Sequence, residues 1–204
     1  MSTSLDRMTP TANVDAIVNT LVLAFSADPL ARWIYPQAQQ YLNCFPEFIR
    51  LFGCHAFKIG TARSNTAGTG AAIWLAPGNH PDEVALEALL QRTVDLEDQP
   101  EAFALFEQMG RHHPPEPHWY LAFLGVDPKH QRQGYGSALI EPVLGKCDRN
   151  HTLAYLESSS LESVSLYERH GFNPLGTIQV GDSPPVVPMV RYPQSEGKMT
   201  NSMI

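Results

Sequence analysis

The sequence predicts a single α/β domain in which helices flank a β-sheet, and three features of the chain support this. Apolar residues recur every three or four positions from Val14 to Phe25, which is typical of an amphipathic helix. Residues 119–126 are nearly all apolar without polar alternation, as expected of a strand buried on both faces. Residues 140–148 return to helical spacing soon after a glycine-containing turn. Strand, turn and helix together indicate layered α/β packing.

Before the buried strand, the pattern predicts helices and one hairpin. A helical stretch at residues 38–55 contains Pro46, which predicts two short helices meeting at a kink. Extended segments at 57–62 and 71–75 form a hairpin across a turn-rich link. Two further helices follow, the first over apolar residues between positions 84 and 90 and the second at 95–110, broken near Pro100.

After the buried strand, predicted strands and helices alternate along the chain. A short strand is predicted at residues 152–157, and the next helix starts at a Ser159-x-x-Glu162 capping box and ends at Gly171. Extended segments at 172–180 and 185–191 complete the sheet. We expect one domain over residues 1–193 and a disordered polar tail at 194–204.

Composition restricts the partners and the compartment. The chain has 204 residues, a net charge of −7 and no clustering of its 14 Lys and Arg residues, so nucleic acid is not an expected partner. It contains no apolar run of the length needed to span a membrane and no signal-peptide pattern, which predicts a cytoplasmic protein with no membrane partner. Three unpaired cysteines agree with a reducing compartment.

The segment from Leu124 to Ser137 carries the chemistry. A buried strand ends there, a short loop contributes Gly134 and Gly136, and a helix begins. Helix N-termini present unpaired N–H groups and the positive end of the helix dipole, and glycines leave space for a pyrophosphate near the backbone. The segment therefore suits a phosphate-bearing ligand. The Rossmann pattern fails because Leu139 stands at its third glycine, and the P-loop Gly-Lys-Ser/Thr is absent.

The same segment resembles the acetyl-CoA motif of the GNAT-superfamily N-acetyltransferases, Leu-x-Val-x-Pro followed by Gln/Arg-x-x-Gly-x-Gly/Ala. The matching residues are Leu124, Val126, Pro128, Gln131, Gly134 and Gly136. The resemblance implies a mixed, mostly antiparallel sheet of six to seven strands flanked by helices, with acetyl-CoA as co-substrate in a V-shaped opening and no metal. The implied coenzyme-binding residues are Leu124, Gly125, Val126, Gln131, Arg132, Gln133, Gly134, Tyr135, Gly136, Ser137 and Ser160. Of these, Ser160 stands where many members have asparagine, and Arg132 where many have glycine.

A second stretch of the family pattern lies near residue 170. Leu166-Tyr167 and Gly171-Phe172 are similar to the Leu-Tyr-x-x-x-Gly-Phe end of the following helix. The resemblance implies that Tyr167 protonates the departing coenzyme A thiolate, a role that a phenol of pKa near 10 can fill. Packing of Tyr167 against the sheet is the structural alternative. The two motifs together cover residues 119–172.

The general base is less well defined. His118 is the first candidate and Glu157 the second, because each lies at an end of a predicted strand. A hydrogen-bonded histidine at a strand end is the structural alternative for His118. His112 and His113 belong to a proline-rich loop, and no carboxylate or cysteine spacing joins them to His118 as a metal site.

The resemblance implies an acyltransferase that moves an acetyl group from acetyl-CoA to a primary amine by direct attack in a ternary complex. The alternative is a non-catalytic acyl-CoA sensor of the same fold. The implied acceptor is a small-molecule or peptide amine, and the resemblance leaves open whether the protein forms a homodimer.

The chain has an insertion compared with the smallest members of this family. About 40 residues, 76–118, separate two predicted strands that a short turn joins in those members. We expect this insertion to form one wall of the acceptor pocket.

Overall fold

A computed structural model describes residues 13–194 of the chain. The α-helices of this part are α1 (Val14–Ala24), α2 (Pro29–Ile34), α3 (Ala38–Phe52), α4 (Cys54–Ile59), α5 (Glu83–Thr93), α6 (Gln99–His112), α7 (Tyr135–Arg149) and α8 (Leu161–Arg169). The strands are β1 (Ala62–Ser64), β2 (Gly70–Leu75), β3 (His118–Val126), β4 (Leu153–Ser158), β5 (Asn173–Pro174) and β6 (Val187–Arg191). The predicted tail at 194–204 lies, apart from Gln194, outside the described residues.

The six strands form one sheet in the order β1-β2-β3-β4-β6-β5, in which only β3 and β4 pair in parallel. This confirms the mixed, mostly antiparallel sheet flanked by helices. The parallel pairing stops at Leu121 and Leu156, although β3 continues to Val126 and β4 to Ser158. The two strands diverge beyond this point, so one edge of β3 is left without a neighbouring strand.

Helices cover both faces of the sheet. On one face α1, α3 and α5 pack on alternate strand residues that include Ile73 and Tyr120, and on the other α7 packs on residues that include Trp74 and Trp119. Because β2 and β3 are buried on both faces, their sequences are continuously apolar rather than alternating.

Two local predictions around the first hairpin are wrong. The predicted strand at residues 57–62 is largely helix α4, which ends at Gly60 with a left-handed φ of +73°, and β1 starts only at Ala62. The predicted pair of short helices meeting at Pro46 is a single helix, since α3 runs on to Phe52 and ends before Gly53. Proline removes one donor, but the carbonyl four residues earlier belongs to the exposed Leu42 and can bind water.

The predicted capping box at the start of α8 is also wrong. The N-cap is Ser160, one residue later, and it makes no side-chain cap hydrogen bond. Ser159 instead donates its hydroxyl proton to Asp28 Oδ2 at 2.6 Å. Its side chain is therefore used for a tertiary contact between the turns before α2 and before α8.

Candidate active site

The first part of the site is the opening between the diverging strands. Asp127 N–H donates to Thr69 O at 2.8 Å, one residue beyond the Val126–Gly70 pair. In an antiparallel ladder this makes Val126–Gly70 a pair without mutual hydrogen bonds, so the N–H and C=O of Val126 point away from β2. Gln131 Nε2 reaches Val126 O at 3.3 Å. By the same alternation Leu124 presents its backbone groups to the opening.

Gly125 has a different position from its neighbours. The alternation along β3 directs its backbone groups to β2. A Cβ at this residue would lie 2.7 Å from Ala24 Cβ and 3.0 Å from Leu21 Cδ2. Glycine is therefore needed for the close approach of α1, and the structure accounts for Gly125 without a coenzyme contact.

The start of α7 provides unpaired backbone donors. Its first intrahelical bond runs from Ala138 N–H to Gly134 O, which leaves the N–H groups of Tyr135, Gly136 and Ser137 without helical acceptors. The N-cap Gly134 has a left-handed φ of +84° and no side chain to cap these donors. Three free amides at the positive end of a helix are suited to a pyrophosphate.

The loop before α7 is ordered by local contacts. Asp127 Oδ1 accepts a hydrogen bond from Lys129 N–H at 2.9 Å and caps a short 3₁₀ turn, Pro128–His130. Arg132 has a left-handed φ of +61°, a conformation that favours glycine. Its side chain and that of Gln133 are exposed, so neither blocks the amides of α7.

Tyr167 lies on α8 and lines the opening together with Asp28 and Ser160. It is 8% exposed and packs edge-on against Phe172, with ring centroids 6.0 Å apart. Burial raises the pKa of Tyr167 above its ordinary value, and the charge of Asp28 raises it further. The phenol therefore keeps its proton at neutral pH.

The opening is one of two cavities that meet inside the molecule. Its volume is about 410 Å³, and that of the second is about 1040 Å³. The second cavity lies between α3, α5, α6 and the loop that precedes β3. Both are lined by Phe48, Phe52, Phe106, Met109, Tyr120 and Glu157. Residues 76–118 thus form a wall of the larger cavity, and the use of this cavity by the acceptor stays a prediction.

Glu157 occupies the junction between the cavities. Its side chain is only 2% exposed, and neither carboxylate oxygen receives an aligned hydrogen bond. The buried hydroxyl of Tyr155 also lacks an aligned partner. The pKa of Tyr155 and the pKa of Tyr120 are raised, first by burial and then by the Glu157 charge. Both tyrosine hydroxyls therefore lie close to the Glu157 carboxylate at the junction.

Two histidines connect Glu157 to the rim of the larger cavity. His113 Nε2 lies 3.2 Å from Glu157 Oε1, and His113 Nδ1 lies 3.0 Å from His118 Nε2. His118 Nδ1 lies 2.8 Å from Glu116 O. Sequence reasoning assigned His113 to a surface loop and missed this contact, because no spacing links it to Glu157.

Comparison with known proteins indicates the family to which this chain is similar. Residues 75–172 match the model of the acetyltransferase (GNAT) family. An uncharacterized N-acetyltransferase of Schizosaccharomyces pombe is 29% identical over 206 residues, which cover 90% of this chain and 81% of the relative. Together with the fold, these matches support a GNAT-superfamily N-acetyltransferase. They also support an acyltransferase, and GNAT enzymes use acetyl-CoA as the acetyl donor.

Solved GNAT structures share the architecture. A structure described as histone acetyltransferase HPA2 and related acetyltransferase, from Corynebacterium glutamicum, has 25% identity and a TM-score of 0.62, covering 94% of this chain and 98% of that one. Arylalkylamine N-acetyltransferase 2 from Aedes aegypti has 16% identity and a TM-score of 0.62, covering 92% and 99%, and shows the shared fold.

Two further observations concern residues 13–194 of the chain. None of the helices there is both long and apolar enough to cross a membrane. Within the same residues, no group of three or more His, Cys, Asp and Glu side chains is arranged to hold a metal ion.

Proposed function

We propose that the protein transfers the acetyl group of acetyl-CoA to a primary amine by direct attack in a ternary complex. The meeting of two cavities at Glu157 supports this proposal most strongly. One cavity runs along the unpaired edge of β3 towards the start of α7, and the other leads to the junction from the insertion side. Donor and acceptor can therefore approach one point from different directions, which removes the need for a covalent enzyme intermediate.

The chain offers the coenzyme two sets of backbone groups. Leu124 and Val126 present N–H and C=O groups that can pair with the pantetheine amides as an added strand would. The amides of Tyr135, Gly136 and Ser137 suit the pyrophosphate. Bound acetyl-CoA supplies the thioester, and a backbone N–H near Val126 polarises its carbonyl oxygen.

Glu157 is better placed than His118 to accept the proton of the amine. Both ring nitrogens of His118 are engaged, one with Glu116 O and the other with His113. The carboxylate oxygens of Glu157 have no aligned donor and lie where the cavities meet. We therefore assign the role of general base to Glu157, the second sequence candidate.

Tyr167 is the proposed general acid. It lines the donor cavity, and its raised pKa keeps the phenol protonated where a coenzyme A thiolate is a strong base. A protonated phenol can donate to the sulfur as the bond between sulfur and the acetyl carbon breaks.

The larger cavity favours a cationic amine with an apolar body. Its lining combines phenyl rings of α3 and α6 with the carboxylates of Glu83, Glu87, Glu107, Glu116 and Glu157. The guanidinium of Arg111, which also lines this cavity, is paired with Glu107 at 2.5 Å. The excess of negative charge attracts an ammonium group, and aromatic faces can contact it. The arylalkylamine enzyme of Aedes aegypti has the same fold and, by its name, acts on amines of this kind.

The test is acetyl-CoA turnover with a panel of primary amines, measured by thiol release. For the best amine, Glu157→Gln should lower kcat on the order of 100-fold or more while the Kd for acetyl-CoA stays unchanged. Glu168→Gln, which changes an exposed carboxylate on α8, is the matched control and should have no effect. Binding of acetyl-CoA without thiol release for any amine would contradict the proposal and favour the acyl-CoA sensor.

A further inference from the structure

The donor opening contains an apolar arm that the contacts proposed for the coenzyme do not use. The arm lies on the side of the sheet that α1 and α3 cover, opposite to α7. Its lining consists of the apolar side chains of Phe25, Leu30, Ala31, Ile34 and Phe45. None of these five side chains lines the larger cavity. The apolar arm is therefore a part of the donor opening alone.

The apolar arm begins at the strand along which the pantetheine is proposed to pair. Phe123 of β3 lines the opening, and its ring centroid lies 5.7 Å from that of Phe25. The ring of Phe25 lies in turn 5.9 Å from that of Phe45. Ala31 and Ile34 are only 4% and 6% exposed. A hydrocarbon chain that enters the arm from β3 would therefore leave water, which is favourable.

The charges around the apolar arm disfavour an amine as its occupant. Asp28 is the one charged side chain that residues 24–52 contribute to the lining of the opening. Its Oδ1 accepts from Ala31 N–H at 2.9 Å and its Oδ2 from the Ser159 hydroxyl at 2.6 Å, so the fold uses both oxygens. The larger cavity, in contrast, is lined by several carboxylates. A cationic amine is attracted to the larger cavity, and an uncharged chain suits the arm.

The start of α2 lies close to the position proposed for the sulfur. Tyr167 and Asp28 line the same opening, and the Asp28 charge contributes to the raised pKa of Tyr167. If the phenol donates to the sulfur, the acyl carbon, which is bonded to that sulfur, lies within reach of α2. A chain that continues from this carbon can enter the larger cavity, where the amine binds, or the apolar arm. Only the arm leaves room for the amine.

We infer that the apolar arm binds the acyl chain of the donor thioester, so that the enzyme transfers propionyl and butyryl groups as well as acetyl groups. This inference rests on the proposed function, because it concerns the acyl group of the same reaction. Ala31 and Ile34 would then determine which chain length is accepted, since their side chains line the arm and are shielded from water.

The reaction balances in the same way for each acyl group. The amine nitrogen attacks the acyl carbonyl carbon, a carbon–nitrogen bond forms, and the carbon–sulfur bond breaks. The nitrogen loses one proton, and coenzyme A leaves as a thiol that carries one proton. One acyl-CoA and one amine therefore give one amide and one coenzyme A. The chain beyond the carbonyl is unchanged, so no further reactant is needed.

The apolar arm can be tested without turnover, by calorimetry of the full chain with acetyl-CoA and butyryl-CoA in the absence of amine. Two additional methylene groups leave water in the arm, so the Kd for butyryl-CoA should be lower than that for acetyl-CoA on the order of tenfold. Ala31→Val narrows the arm and should abolish this difference while the Kd for acetyl-CoA stays unchanged. Equal Kd values for both thioesters in the wild-type protein would overturn the inference.

Chain-length selectivity in turnover is the second test. Ala31→Val should lower the ratio of kcat/KM for butyryl-CoA to that for acetyl-CoA on the order of tenfold. Ile34→Val enlarges the arm by one methyl group, and it should raise the ratio for pentanoyl-CoA to acetyl-CoA by a similar factor. This mild truncation keeps the test valid if Ala31→Val does not fold. Ile49→Val is the matched control, because Ile49 is a buried residue of α3 that lines neither cavity.

The outcomes separate this inference from the proposed function. Thiol release with acetyl-CoA, but not with propionyl-CoA or butyryl-CoA, overturns the inference and leaves the proposed function intact. A change in KM for the amine alone, in both arm variants, would assign the arm to the acceptor and also overturn the inference. Absence of thiol release with every thioester refutes the proposed function, and the comparison of Kd values then decides whether the arm binds the acyl chain.

Discussion

Ser159 donates a hydrogen bond to Asp28 Oδ2 at 2.6 Å, although the two residues are 131 positions apart in the chain. Asp28 also caps α2, because its Oδ1 accepts from Ala31 N–H at 2.9 Å. Burial raises the pKa of Asp28, and the hydrogen bonds from Ser159 and Ala31 partly offset that effect. Since the Asp28 charge contributes to the raised pKa of Tyr167, this contact links fold stability to the proposed acid.

Removing the hydroxyl should therefore weaken the fold near the donor cavity. We expect Ser159→Ala to lower the free energy of unfolding by about 1.5–3 kcal/mol, the range for a hydrogen bond to a charged group. Urea unfolding measures this change. Ser165→Ala, an exposed serine on α8, should change the free energy by less than about 0.5 kcal/mol. Equal stability of the two variants would show that the contact contributes little.

The start of α7 can be tested at a glycine that has room for a side chain. A Cβ at Gly136 would lie 3.4 Å from Leu166 Cδ2 and 4.0 Å from Leu124 Cδ2, which are ordinary contacts. Gly136→Val should thus fold, yet its side chain would occupy space beside the free amides. We expect the Kd for acetyl-CoA to rise on the order of tenfold or more, measured by calorimetry.

Gly145→Ala is the matched control for this variant, because Gly145 lies in the same helix, away from its N-terminus. Alanine there should leave the Kd unchanged and stabilise the helix by about 0.5–1 kcal/mol. A folded Gly136→Val protein with wild-type affinity would place the pyrophosphate elsewhere.

Tyr167 should matter for turnover and not for binding. Tyr167→Phe keeps the ring that packs on Phe172 and removes only the hydroxyl, so kcat should fall on the order of 10–1000-fold at unchanged Kd for acetyl-CoA. Because the pKa of Tyr167 is raised, the wild-type kcat should show no loss from its ionisation at or below pH 10. Steady-state kinetics across pH measures both effects. Tyr192→Phe, at an exposed tyrosine, is the control. An equal kcat for both variants would show that Tyr167 only packs against its neighbours.

The strand end, loop and helix start of the proposed coenzyme side were predictable because their information is local. The free amides of α7, the glycines before them and the strand that presents Leu124 and Val126 lie within one short stretch of sequence. Strand end, turn and helix start each follow from neighbouring residues. The role of Tyr167 stays a prediction, which the family resemblance implies through the Leu-Tyr and Gly-Phe pairs.

The side-chain contacts of the proposed acceptor side could not be predicted, because they are tertiary. His113 reaches Glu157 only because α6 of the insertion ends beside the parallel β3–β4 pair, and no sequence interval encodes that distance. The prediction of short helices failed for a related reason. Asp28-Pro29 starts the six-residue α2, with Asp28 as cap and proline in its first turn, although no helix is predicted at residues 29–34.

The insertion offers a test of substrate selectivity. Phe103 of α6 lines the larger cavity and is absent from the lining of the donor opening. We expect Phe103→Ala to raise KM for the amine on the order of tenfold and to leave KM for acetyl-CoA unchanged. Leu96→Ala, at a residue that is 84% exposed, is the control for truncation within the insertion. Equal changes in both KM values would assign Phe103 to the fold rather than to the acceptor.

The last prediction concerns a buried ion pair behind α7. Arg191 on β6 is 4% exposed, and its guanidinium contacts both carboxylate oxygens of Asp148 at 2.7 Å and 2.8 Å. Its Nε donates to His170 O at 2.8 Å, and Gln194 N–H donates to Asp148 Oδ1 at 2.7 Å. The hydrogen bonds from Arg191, more than any other contact, hold the pKa of Asp148 below its ordinary value of 3.8.

A lowered pKa fixes the sign of the pH effect. Asp148 binds its proton more weakly in the folded protein than in the unfolded one, so its contribution is complete above pH 4 and is lost as the pH falls through the lowered pKa. Asp148→Asn should cost on the order of 3 kcal/mol at pH 7, because it leaves the Arg191 charge buried without a partner. Below pH 4 the difference between variant and wild type should shrink. Urea unfolding at pH 7 and pH 3 measures it, with the exposed Asp95→Asn as control. A difference that is constant with pH would show that Asp148 stabilises the fold through packing and not through its charge.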